Sequence, residues 1–245
     1  MADFVAKPPK RKNALNNPKL RLSAPNPQAK GIYASLAWDL YQNNPRLVVD
    51  TKDPNLSSPE NSYGRITAAL DPVVFGIFLQ NLQDSIASDK AVKFKVENYN
   101  HEFSNGQRSQ EIVHLTDLWV GKDAEGQVFV SVVSKKGDQW PVIKFVFGPS
   151  DQRYHKFFKG DGTQFSKAEL SVYAARAYYV LLSTVMASVM DTHYYEAPPN
   201  PNWKKGGGGN FGSGGNRPYV GGGGGYNKPT AAAPAADDGD SDIPF

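Results

Sequence analysis

The sequence predicts a mainly β protein with two helices and disordered tails. Three observations carry that reading. Between Gly31 and Gly148, apolar and polar residues alternate in short runs separated by Gly, Pro, Asn and Asp, the pattern of half-buried strands. Two helix starts interrupt or follow these runs, at Asp71-Pro72 and at Ser166, each leading into apolar residues at helical spacing. Both ends are too rich in proline, glycine and charge to supply a core.

Residues 1–30 read as a basic flexible arm. Lys7, Lys10, Arg11, Lys12, Lys19 and Arg21 stand among five prolines with little apolar content. Such an arm is either a solvated tail or a nucleic-acid contact. Residues 31–196 form the body. GIYASLAWDLY and RLVVDT flank QNNP and predict a hairpin, with Asn and Pro supplying the turn. GRITAAL is a third strand. Asp71 then caps a helix with Pro72 at its first position, and Phe75, Phe78, Leu79, Leu82 and Ile86 place one face on a core. KAVKFKVENY returns to alternation. EIVHLTDLWV and QVFVSVVS flank the turn GKDAEG, and WPVIKFVFG closes a series of about seven strands. After the polar loop SDQRYHKFFKGDGTQF, Ser166 and Glu169 make a capping box. Behind it Leu170, Ala174, Ala177, Leu181, Val185 and Val189 predict the buried stripe of a long amphipathic helix. Residues 197–236 read as a flexible Pro/Gly-rich linker, about 40 residues of coil with a reach of ~35 Å. Residues 237–245, DDGDSDIPF, are an acidic tip.

The formal net charge is +3, but it is unevenly spread. The tip holds 4 of the 24 carboxylates; without it 27 basic residues face 20 acidic ones, a balance of +7. A basic body with an acidic tail points to polyanion partners. The chain has no cysteine, which excludes disulfides and thiolate metal sites. MADFVAKPPKRKN lacks an apolar core for a secretory signal, and the apolar stretch from Tyr178 to Met190 is shorter than the roughly 20 residues a bilayer needs, so no membrane role is expected. His101, His114, His155 and His193 form no HExxH spacing, and neither a P-loop nor GxSxG occurs. DGDSD lacks the rest of a calcium loop. The expectation is a protein without catalytic residues, cofactor or metal.

The tip has a simple physical logic. Phe245 can fill an apolar pocket while its terminal carboxylate pairs with a rim Arg or Lys. Ile243 is a second anchor, Pro244 lowers the entropy lost on docking, and Asp237, Asp238, Asp240 and Asp242 steer toward basic surfaces. With its glycine-rich tether, DDGDSDIPF resembles the C-terminal tip of bacterial single-stranded DNA-binding proteins, and DIPF matches that family's usual ending; here Gly239 and Ser241 interrupt the acidic run. The body is longer and begins later than in that family, and looks more like a phage-encoded single-stranded DNA-binding protein. The resemblance implies an OB-fold-like body, extended by the long C-terminal helix, and non-specific single-strand binding in replication, recombination or repair. It also implies a tip that recruits a polymerase, primase, helicase or nuclease, in a bacterial or phage-infected cytoplasm. Strands, a helix and more strands are compatible with an OB order.

Single-strand binding needs cations along phosphates and aromatic faces against bases. In AVKFKVENY, Lys93, Lys95 and Tyr99 alternate against Val92, Phe94 and Val96. In WPVIKFVF, Trp140 and Lys144 alternate against Ile143, Phe145 and Phe147. Arg153, Tyr154 and Lys156 lie in a loop that could close over a strand. Plain structural roles stand beside these: outer lysines solubilise, and Trp140 beside Pro141 can cap the core. Trp38 aligns with Ile32, Leu36 and Leu40, and Trp119 with Val113 and Leu115, so both are assigned to the core. An acidic tip tethered to a basic face would compete with DNA, and its removal would unmask duplex binding. Two rivals remain: a glycine-rich RNA-binding protein, and an adaptor that binds no nucleic acid.

Overall fold

The computed structural model describes residues 14–104, 107–149 and 155–196. Eight strands and two α-helices follow one another as β1 (Leu22–Pro25), β2 (Tyr33–Tyr41), β3 (Asn44–Asp50), β4 (Arg65–Ala69), α1 (Pro72–Ala87), β5 (Val92–Ser104), β6 (Gln107–Lys122), β7 (Val128–Ser134), β8 (Ile143–Val146) and α2 (Lys167–Thr192). The strands make two antiparallel four-stranded meanders, β1-β2-β3-β4 and β5-β6-β7-β8. β1 lies beside β8, and β4 beside β6 and β7. The mainly β class with two helices is therefore the observed one.

Local signals act as the sequence predicts. The Asp71 carboxylate accepts from the N–H groups of Val73 (2.8 Å) and Val74 (2.9 Å), satisfying two orphan donors of α1. Ser166 and Glu169 close the capping box of α2 in both directions, at 3.2 and 2.9 Å. At the far end of α1, buried Lys122 of β6 donates to the carbonyls of Ile86 (3.1 Å) and Ser88, where a cation complements the helix dipole. The core gathers Leu36, Trp38, Leu47 and Val49 from one sheet, Leu118, Val130, Val132 and Phe145 from the other, and both helices. Trp38 meets Phe75 edge-on at 5.1 Å and Phe78 at 5.2 Å.

Four details depart from the sequence reading. The arm is not all arm: Leu22–Pro25 pairs with β2, and Leu15, Leu22 and Ala24 are buried. A four-residue strand among prolines is too short to declare itself locally; the waiting edge of β2 recruits it. The turn of the first hairpin is Gln42-Asn43, both left-handed (φ 46° and 68°), while Pro45 is buried within β3. The buried stripe of α2 is Ser171, Ala175, Tyr178, Leu182, Met186 and Val189, one residue beyond most of the predicted set; Ala177 and Leu181 face solvent. Because α2 is apolar on both sides, its own periodicity does not choose the face. At 26 residues it also has the length and apolar composition of a membrane span, although its buried stripe belongs to the core.

Candidate nucleic-acid interface

On β5, Lys93, Lys95, Glu97 and Tyr99 are exposed, while Phe94 and Val96 pack against the core. The alternation predicted for this strand is the one observed. Register then carries the outer face across the sheet. Lys95 faces Trp119, Trp119 faces Ser131, and Ser131 faces Lys144, so four strands contribute one row. The Lys95 ammonium sits 5.6 Å from the Trp119 ring centre, and the Lys144 ammonium 4.9 Å from that of Phe129. One step along, Tyr99 stacks on His114 with centroids 4.6 Å apart and planes 15° from parallel. Gly121 lies opposite Lys93; a Cβ there would collide with the Val92 carbonyl, so only glycine permits this close strand approach.

Trp119 and His114 join the face because of a β-bulge. Asn98 faces Thr116 but Tyr99 faces His114, leaving Leu115 as the extra residue of β6. Parity inverts there. Half-buried Val113 and buried Leu115 set the inward parity up to the bulge; Leu118 and Val120 are the buried ones after it, which turns Trp119 outward. The core assignment of Trp119 is thus corrected. The phase change from odd-numbered to even-numbered apolar residues in IVHLTDLWV was its available signal.

The face is cationic but internally compensated. Lys95 pairs with Glu97, Lys135 with Asp117 at 2.6 Å, and Lys144 with Asp123. Lys93 makes no ion pair among the described residues. The Glu97 carboxyl is held below its ordinary range by the Lys95 hydrogen bond and then by the Tyr99 hydroxyl, which donates at 3.0 Å. Burial pushes the Asp123 carboxyl up, but Lys144 and the Gln127 N–H outweigh it and hold Asp123 low. A phosphate on this face would therefore compete with carboxylates for Lys95 and Lys144. Glu97, His114 and Asp117 also place one ligand atom each within 4.8 Å of one another. Glu97 already bonds to Lys95 and Tyr99, Asp117 to Lys135, and His114 Nε2 contacts Asp117 at 2.8 Å.

The other sequence-predicted residues divide. Lys144 is where alternation puts it. Trp140 is not: it is 5% exposed, belongs to the core, and precedes β8 rather than extending it. Its backbone N–H donates to the Gly137 carbonyl in a turn, and the alternation begins only at buried Pro141, which leaves Trp140 out of phase with it. Lys156 is exposed at the start of a small hairpin closed by the Phe158–Gln164 bridge. Contacts of that hairpin run to α2, through Lys159–Glu169 at 2.7 Å and Phe165–Tyr173 at 5.1 Å. Arg153 and Tyr154 lie outside the described residues, as do the linker and the whole tip from Asp237 to Phe245. Comparison of the chain with protein-family models, curated proteins and solved structures finds no match in any of the three.

Proposed function

We propose that this protein binds single-stranded DNA without sequence preference, protecting it during replication, recombination and repair. The observation that carries the reading is the row Lys95–Trp119–Ser131–Lys144 with the Tyr99–His114 stack beside it. Half-exposed rings interleaved with flexible ammonium groups suit stacked bases and a tracked backbone. The two sheets, which approach each other at β1–β8 and at β4–β6, are read as an OB-like barrel used from its outer side. Compensated lysines fit a non-specific binder whose ion pairs exchange with phosphates at low cost.

In this reading the tip has two occupations. Free of DNA, Asp237 to Asp242 lie over the cationic face; with DNA bound, the tip is released and Ile243, Pro244 and Phe245 engage a polymerase, primase, helicase or nuclease. Titration of the full chain with oligo-dT, oligo-U and duplex DNA across salt tests the core of the proposal. Tight oligo-dT binding that weakens steeply with salt is expected. Preference for oligo-U would favour the RNA-binding reading, and no binding to any of them the adaptor. Removal of residues 237–245 should tighten DNA binding most at low salt and admit duplex DNA; equal affinities with and without the tip would leave it a recruiter only.

A further inference from the structure

We propose that two copies of this chain associate through the solvent side of α2, packed antiparallel about a twofold axis between Ser183 and Thr184. The helix invites a partner. Its most apolar window is only 28% buried, and Tyr173 (55%), Val180 (55%) and Leu181 (53%) are exposed. From Tyr173 to Asp191, the exposed positions carry two charges, Arg176 and Asp191. Arg176 lies over the ring of Tyr173 (5.9 Å), and neither charge has an ion pair among the described residues. A helix apolar on both sides is ordinarily covered on both.

A second copy of the same helix is the occupant the residues specify. In an antiparallel twofold pair, positions equidistant from the axis meet. The axis that sets Arg176 against the second copy's Asp191 also sets Val180 against its Ala187, a larger side chain opposite a small one. The same axis brings Tyr173 to the end of the second copy's α2, where Thr192 is the last helical residue. Tyr173, Arg176, Val180, Ala187 and Asp191 lie within about 60° of one another around the helix, a single seam. Symmetry doubles each contact, giving two Arg–Asp pairs.

The ends of the seam carry further apolar surface. Beside Tyr173, an apolar groove of about 440 Å³ runs between α2 and the loops carrying Leu20, Phe157 and Phe165. Tyr194 is 72% exposed, yet its neighbour Tyr195 is fixed: its N–H donates to the Asn43 side chain and its carbonyl accepts from it, both at 2.7 Å. A large exposed ring thus stands on a fixed backbone just beyond the last turn of α2, the end that meets the second copy's Tyr173. Bases and their binding face play no part in this seam.

The test is the solution mass of the full chain by sedimentation over micromolar concentrations. The wild type should be a dimer. Arg176→Glu and Asp191→Arg should each give monomers, since like charges then meet twice; the double variant Arg176→Glu/Asp191→Arg should restore the dimer. These side chains are exposed, so circular dichroism should not change. Because the chain has no cysteine, Thr184→Cys should crosslink to itself across the axis on mild oxidation, while Asp50→Cys should not. A monomeric wild type at every concentration overturns the proposal. So does a dimer that survives single charge reversal, or a monomer that binds lipid vesicles through this helix.

Discussion

Replacing Trp119 by alanine removes the central ring of the cationic face and no charge. That separates it from every lysine substitution. A ring that stacks one base contributes about 1–3 kcal/mol to single-strand binding, or roughly 5- to 150-fold in affinity. Trp119 is half-buried, with one side facing the Lys95 ammonium, so it has room for one base and not two; the expected loss is at the middle of that range, about 2 kcal/mol. The plot of log affinity against log salt should shift down in parallel, because no phosphate contact is lost. Lys93→Ala should instead flatten the slope by about 0.7. Anisotropy of a labelled oligo-dT measures both. Intrinsic fluorescence gives a second reading: Trp38 and Trp140 are 4% and 5% exposed, so quenching by DNA should fall sharply in Trp119→Phe. Full affinity in folded Trp119→Ala at low salt, or full quenching in Trp119→Phe, would refute the placement of DNA on this face.

The remaining predictions follow the same separation of charge from packing. Glu97→Gln removes an acid from the face and frees Lys95, so DNA affinity should rise and its salt dependence steepen; unchanged salt titrations would argue against competition between carboxylate and phosphate. Trp140→Ala should lower stability by about 3–5 kcal/mol in chemical denaturation, as for other large core truncations, while the folded fraction keeps its DNA affinity; a stable variant with weakened binding would return Trp140 to the interface. The Lys159 ammonium, the Ser166 N–H and the Ser166 hydroxyl lower the Glu169 carboxyl to about 2. Its folded-state value lies below its unfolded one, so its stabilisation is present above about pH 4.5 and lost as pH falls toward 2. Thermal midpoints across that range should fall more in the wild type than in Glu169→Gln; parallel curves would remove Glu169, with its Lys159 and Ser166 partners, as the cause.

Much of the fold was written locally. Asp71-Pro72 and Ser166–Glu169 start helices because the groups that satisfy the first N–H donors are within three residues. The runs around Lys93 and Lys144 read correctly because alternation within one unbroken strand is fixed by backbone geometry. The readings that required correction share a different cause. Trp119 changes sides at Leu115, where an extra residue is accommodated by the pairing of two strands. Trp140 is core because it sits in the turn before β8, out of phase with the alternation that begins at Pro141. Leu22–Pro25 becomes a strand only because β2 offers an edge, and α2 buries Tyr178 rather than Leu181 where Phe147 stands 5.1 Å from the Tyr178 ring and the Leu20 carbonyl accepts its hydroxyl at 3.0 Å. Sequence alone set the element types, their caps, the charge asymmetry and the Lys-Tyr face of β5. Tertiary structure decided which aromatic residues share that face, because a side chain's direction at a bulge, a turn or a doubly apolar helix depends on contacts with residues distant in the chain, and nothing local distinguishes the two sides.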